Sequence, residues 1–499
     1  DDKIKGLVLK LNPTPNGWAT LQQLREAIID FKTSGKFVYA YGEVIPQSTY
    51  YVATAADSIF LNPVGDIELK GFATVLAFFK GTLDKLELEP EIFYAGKFKS
   101  ATEPFRATQM SEENREQIRE FQQDFWAEFS KAVAERIKAD TSAVNQLATA
   151  GTIEFPKDAL EHKLVDGLWY SDQVNDLLKK KTGTDEDKDV KLLAINKYAE
   201  NLKKAHGKGD RIAVLYAEGS IVDGESDNNQ QIASANMVQE IRAIRKDDKI
   251  KAVVLRVNSP GGSALASEVI LRELQLLKKE KNLVVSMGDV AASGGYYISC
   301  YADSIFVMPN TVTGSIGVFA MLFNTEKLMK NKLGVTFDKV KNAPLADFPN
   351  GYRPLTAEEA QRMQRAVDHI YTTFKEHVAK GRKMKVEDVD AIAQGRVWSG
   401  TDAVQNGLAD AYGDINRAVE SAASLAGVSD YSVVTYPKVV DEFEVLLKRM
   451  GGNEDVAAAV KQSIEKEMSE EYPFIQQLKM LKNMNGTRMM LMPFSLNIQ

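Results

Sequence analysis

The sequence predicts an α/β fold made of two tandem modules, each alternating short strands with amphipathic helices. Three observations carry that expectation. Residues 3–12 read KIKGLVLKLN, and 246 positions later residues 249–258 read KIKAVVLRVN. The same offset aligns GEVIPQSTYYVATAADSIFLNP (42–63) with GDVAASGGYYISCYADSIFVMP (288–309), pairing Tyr50 with Tyr296 and Asp57 with Asp303. Around these repeats, apolar runs of strand length alternate with helical periodicity, the pattern of layered α/β domains. A duplication also supplies an internal control. Residues on which the copies agree are expected to serve the shared fold, and differences in reactive groups to mark chemistry kept by one copy.

The elements follow in order. In the first module a long helix is predicted where Ile118, Phe121, Phe125, Phe129, Val133 and Ile137 recur at steps of three and four, one apolar stripe. The stretch AGTIEFPKDALEHKLVDGL (150–168) then matches AQGRVWSGTDAVQNGLADA (393–411) at an offset of 244. Charge- and glycine-rich runs at 179–191 and 203–210 read as linkers. They place the boundary near residue 205, between an N-terminal module (1–205) and a C-terminal module (206–499). The second module has an extra strand, RIAVLYAEG (211–219), then a strand at 252–257, a helix at 263–280 and a strand at 283–287. Its long helix opens on Thr356 and Glu359, a capping-box pair. The tail from about residue 440 has no partner in the first module; its Met-rich end is apolar enough for a partner or membrane surface, and reads first as a packed C-terminus.

Composition excludes several classes. Hydrophobic content of 44% and charged content of 26% are those of a globular chain. A net charge of −7 offers no basic footprint, so no nucleic-acid partner is expected. Cys300 stands alone, which rules out an internal disulfide, and Thr54 at the matching position makes it a small core residue. No Cys/His cluster has zinc-ligand spacing, and neither metal nor cofactor is expected. No apolar run reaches the ~18 residues of a membrane helix. The abrupt opening on a strand, with no counterpart of 211–219 before it, leads us to expect upstream sequence such as an anchor.

Two turns could carry chemistry. The strand ending at Val257 runs into Asn258-Ser259-Pro260-Gly261-Gly262-Ser263 and then a helix. Glycines there allow close backbone approach and leave N–H groups free for an oxyanion; the plain alternative is a strand–helix turn. The next strand runs into Ala292-Ser293-Gly294-Gly295-Tyr296, where Ser293 reads as a nucleophile on a tight turn or as a helix N-cap. The duplication separates these readings. Gln47 matches Ser293, Ser48 and Thr49 replace the glycines, and Pro15, which has no N–H, matches Gly261. The first module has lost nucleophile and donor together.

A serine nucleophile needs a base. The four histidines, His162, His206, His369 and His377, fall in predicted helices or the linker, none in a glycine turn. A lysine serves instead if burial keeps it neutral. The segment Tyr94–Ala101 carries Lys97 and Lys99, whereas its counterpart near Lys341–Leu345 has no lysine matching Lys99. One module offers the lysine without the serine, the other the serine without the lysine. Such complementary loss predicts a site assembled across the junction.

Through Phe98-Lys99-Ser100-Ala101, Ser259–Ser263, Ala292–Tyr296 and Thr313-Gly314-Ser315-Ile316-Gly317, the chain resembles the signal peptide peptidase A family in its long, tandem-repeat bacterial form. The resemblance implies ClpP/crotonase-like modules of repeated ββα units and a Ser/Lys dyad peptidase that degrades released signal peptides. By motif match it implies Ser293 as nucleophile and Lys99 as base, with Lys97 the fallback on the same strand face. Gly261 and Gly294 become the oxyanion hole and Ser315 the hydroxyl orienting the amine, with Leu69 at its place in module one. It further implies a homotetramer and an N-terminal anchor in the bacterial inner membrane, the catalytic domain on the periplasmic side. The rival readings are a crotonase-type acyl-CoA enzyme and a non-enzymatic peptide-binding scaffold.

Overall fold

The computed structural model describes residues 1–202, 209–228, 230–437 and 488–492. The first module contributes β1 (Gly6–Lys10), β2 (Phe37–Ile45), β3 (Ser58–Ile67), β4 (Glu89–Ala95) and β5 (Gly167–Leu168). Four of these form a parallel sheet in the order β1-β2-β3-β5. The long helix Glu112–Ile137 lies against it. All six residues of its predicted stripe are buried, in a core shared with Trp18, Tyr51 and Ile59.

The second module contributes β6 (Asp210–Glu218), β7 (Ser220–Val222), β8 (Gln231–Ala233), β9 (Ile250–Ser259), β10 (Gly261–Ser263) and β11 (Asn282–Ala292). It continues with β12 (Ser304–Val307), β13 (Val312–Gly314), β14 (Val318–Asn324), β15 (Val397–Ser399), β16 (Ala411–Tyr412), β17 (Tyr431–Tyr436) and β18 (Arg488–Leu491). The main sheet runs β15-β13-β11-β9-β6-β17, with β12 and β16 branching from β11. Val253, Val254 and Leu255 of β9 are each 0% exposed, the continuous burial of a parallel strand covered on both faces. Thr356 and Glu359 close the capping box that starts the helix Ala357–Arg382.

The repeated residues serve the fold. Tyr50 donates its hydroxyl to the Leu164 carbonyl (2.9 Å) and Tyr296 to that of Leu408 (3.0 Å), equivalent carbonyls in the two copies. Asp57 and Asp303 each accept a backbone N–H from the neighbouring strand. Cys300 is fully buried, as a core residue should be.

A third sheet joins the modules, in the order β4-β14-β18-β10-β7-β8. Here β4 leaves its own module and pairs antiparallel with β14. The chain's last described segment, β18, lies between β14 and β10, with Met489, Met490, Leu491 and Met492 buried. The expected boundary near residue 205 and the rest of the tail lie outside the described residues.

Candidate active site

Lys99 reaches the second module because β4 does. Beyond Ala95 the strand breaks at Gly96 (φ +102), and Phe98 N–H donates to the Gln394 carbonyl (2.8 Å). A Cβ on Gly96 would lie 2.4 Å from the Gln394 carbonyl carbon, and one on Gly395 (φ +74) 2.7 Å from Lys99 Cβ. The two backbones can lock this closely only through glycine.

The lock buries Lys99 to 1% exposure. Its Nζ lies 2.9 Å from Ser293 Oγ, 3.0 Å from Ser315 Oγ and 3.2 Å from the Ser315 carbonyl. Burial holds its pKa well below the ordinary lysine value. Lys97 goes elsewhere. The break at Gly96 ends the strand alternation, and Lys97 is exposed, its amine 4.9 Å above the Phe98 ring.

Ser293 stands between β11 and the short helix Gly294–Ser299 at φ +56, ψ −114, a strained conformation for a non-glycine residue. Such strain costs about 1–3 kcal/mol and persists only where its surroundings impose it. Part of that imposition is the bond from Ser293 N–H to the Gly314 carbonyl (2.8 Å). Ser315 is also left-handed (φ +51), its N–H donating to the Arg396 carbonyl (2.6 Å). The three described histidines make no contact with Ser293, and His206 lies outside the described residues.

Gly261 (φ +100) and Gly294 converge beside Ser293: a Cβ on Gly261 would fall 2.7 Å from Gly294 N and 1.9 Å from the Met490 carbonyl oxygen. Gly294 N–H has no acceptor among the described residues. Gly261 N–H donates to Ser259 Oγ (3.1 Å), a hydroxyl that an incoming oxyanion has to displace. In the first module Gln47 fills the matching turn, its Oε1 accepting from Lys70 and Gly71 N–H (3.0 Å each). Leu69, opposite Ser315, is buried and apolar.

Sequence reasoning missed the contributions of Ser259, Gly395 and the Gln394 and Arg396 carbonyls. Only Ser259 carried a signal, standing two residues before a glycine whose N–H it could reach.

The model of peptidase family S49 matches residues 30–185 and 275–429, more than half the sequence. The chain belongs to peptidase family S49. A Clp protease model matches residues 204–313 of the same S49 chain. Protease 4 of Salmonella typhi is 38% identical over 462 residues, spanning 91% of this chain and 74% of that protein. Protease 4 of Haemophilus influenzae is 38% identical over 451 residues, 87% of this chain and 73% of that one. A chloroplastic serine protease SPPA of Arabidopsis thaliana is 34% identical over 86% of this chain and 64% of its own length. The S49 chain is thus a serine peptidase of ClpP-like α/β fold, its family module written twice.

Proposed function

We propose that this serine peptidase hydrolyses extended, apolar peptides, released signal peptides among them, through a Ser293/Lys99 dyad. The observation that carries the reading is the 2.9 Å approach of a buried lysine amine to the oxygen of a strained serine. Neutral Lys99 takes the Ser293 proton as Oγ attacks the scissile carbonyl. Gly294 N–H and Gly261 N–H, released from Ser259, hold the oxyanion. The protonated amine then gives its proton to the leaving nitrogen, and a water activated by Lys99 frees the acyl-enzyme.

The tail supports an extended substrate. β18 runs antiparallel to β10, with Met490 opposite Gly262, so an apolar strand already lies along the proposed oxyanion turn. Both edges of β10 are paired, with β18 and with β7, so a substrate would take the place of β18 to pair with β10 in the same way. An upstream anchor would hold the catalytic part on the periplasmic side of the bacterial inner membrane. No described helix is itself long and apolar enough to cross a membrane.

The test is hydrolysis of apolar peptides, paired with labelling by a serine-directed phosphonate. Wild type should cleave and be labelled at Ser293, and Ser293→Ala should do neither. Tight acyl-CoA binding without labelling would replace the reading with crotonase-type chemistry, and inertness to both would leave a peptide scaffold. Ser315→Ala should lower kcat about ten- to hundredfold with KM unchanged, matching the roughly 1.5–3 kcal/mol of a hydrogen bond to a charged group. Steady-state kinetics on the same peptide check it.

A further inference from the structure

The lysine and the serine belong to different modules, and a reacting pair has to be held in register to within about 0.5 Å. The main-chain lock at Gly96 and Gly395 does part of this. Arg396, the next residue, lies just before β15, which pairs antiparallel with β13 so that Val397 faces Gly314. The Arg396 carbonyl accepts Ser315 N–H (2.6 Å), and both Ser315 oxygens lie within 3.2 Å of the Lys99 amine. Gly314, one residue earlier, holds Ser293 N–H. The backbone at Arg396 thus bears on both partners of the amine.

The side chain of Arg396 reaches into the first module. Its guanidinium lies 4.7 Å from the centre of the Phe98 ring, the residue before Lys99, and 4.5 Å from that of Trp398 in its own module. It also pairs with Glu116 (3.2 Å) and with Glu120, both on the helix Glu112–Ile137. A flat guanidinium can stack on rings while it forks to carboxylates, which an ammonium cannot do. Its buried Nε–H meets no acceptor among the described residues, a cost that stability alone does not explain. The duplication separates fold from chemistry here too. The helix Glu112–Ile137 matches Ala357–Arg382 at an offset of 245, which sets Gln361 and Arg365 on Glu116 and Glu120. Thr152 matches Arg396, while Gly151 keeps the glycine of Gly395. The glycine is common to both copies, but the cation and its two carboxylates occur only around the dyad.

We infer that Arg396 is a positioning residue for the hydrolytic step: anchored on Phe98, Glu116 and Glu120, it holds the Lys99 segment and the Ser315 turn in one register, with the amine on Ser293 and shielded from water. It touches no reacting atom and acts through Ser315 and Phe98. The inference rests on the Ser293/Lys99 reading above.

Arg396→Met keeps the main-chain carbonyl and loses the charged anchor. It should lower kcat for an apolar peptide about 10- to 100-fold with KM unchanged, the effect of a small misplacement of reacting groups. Burial alone depresses the Lys99 pKa, so water admitted around a loosened amine returns it toward the ordinary lysine value. The rise of kcat with pH should therefore move to higher pH. Arg396→Lys, which keeps the charge without the flat stack, should fall between Arg396→Met and wild type. Arg136→Met is the control. Arg136 is similarly buried and pairs with Asp166 inside the first module, so its loss should lower melting temperature and leave kcat and its pH midpoint alone. If Arg396→Met does not fold, Glu116→Gln/Glu120→Gln at exposed positions takes its place, with kcat about two- to fivefold lower and a shift in the same direction. A kcat midpoint that stays at the wild-type pH, whatever the loss of melting temperature, would reduce Arg396 to a structural ion pair and overturn the inference. Inactive Lys99→Met beside a fully active Arg396→Met would end this inference alone. Substantial hydrolysis by Lys99→Met would end the dyad reading and this inference with it.

Discussion

Lys99→Met is expected to lower kcat/KM for an apolar peptide by about 10⁴-fold, the upper range for loss of a general base. Ser293→Ala should match it, because the two groups act as a unit and removing either stops the proton transfer. Stability separates them. In the folded chain Lys99 has a depressed pKa, so between that value and the unfolded ~10.4 the amine is neutral when folded and protonated when unfolded. The unfolded state binds the extra proton, and this group's contribution to stability therefore rises with pH across that window. Lys99→Met abolishes the rise. Its stability relative to wild type should be greatest at and below the depressed pKa and should decline toward the unfolded value. Ser293→Ala should keep the wild-type slope. Thermal melts across pH, beside peptide kinetics, check both arms. Substantial hydrolysis by Lys99→Met would end the assignment of the base, and an unchanged pH slope would mean that the amine is charged in the fold. In wild type, activity should climb with pH through the same depressed value, since only the neutral amine accepts the serine proton.

Much of the fold was legible because periodicity reports burial. The stripe from Ile118 to Ile137, the continuous apolar run of β9 and the Thr356/Glu359 cap all follow from local pattern. Ser293 and Lys99 were legible for another reason: duplication set Gln47 opposite the serine and left the lysine's counterpart empty. What stayed hidden was partnership. A strand's alternation names its faces but not its neighbour, so nothing in residues 89–95 said that β4 would leave its own sheet for β14. Lys97 was set on the face of Lys99 by carrying alternation through Gly96, whose positive φ cancels it. The carbonyls of Gln394 and Arg396 support the site through main-chain atoms, which leave no residue-type signature. Gly395 was invisible to the internal control because Gly151 keeps the glycine in the other copy.

Gly261→Ala is the second large expected effect, a fall in kcat of about 10²–10³-fold, the usual result of losing one oxyanion donor. At φ +100 an alanine is strained. Its Cβ would meet the Met490 carbonyl at 1.9 Å and Gly294 N at 2.7 Å. β18 could move off and relieve the first contact, but the second is between the two proposed donors and can be relieved only by spreading them. Lys99 and Ser293 would keep their own contact, so the dependence of kcat on pH should stay as in wild type while its height drops. Gly262→Ala separates this from general damage. Gly262 is also at positive φ, but its Cβ would strike the Ile221 carbonyl at 2.0 Å, in the pairing of β10 with β7 and away from Gly294. That variant should lose melting temperature with a smaller loss of turnover. Equal losses of turnover and stability in the two variants would make the glycine turn a scaffold for β10, and Gly261 would cease to be a donor. Unequal losses would explain why Pro15 could settle at the matching position of the other module: once no oxyanion formed there, its missing N–H cost nothing.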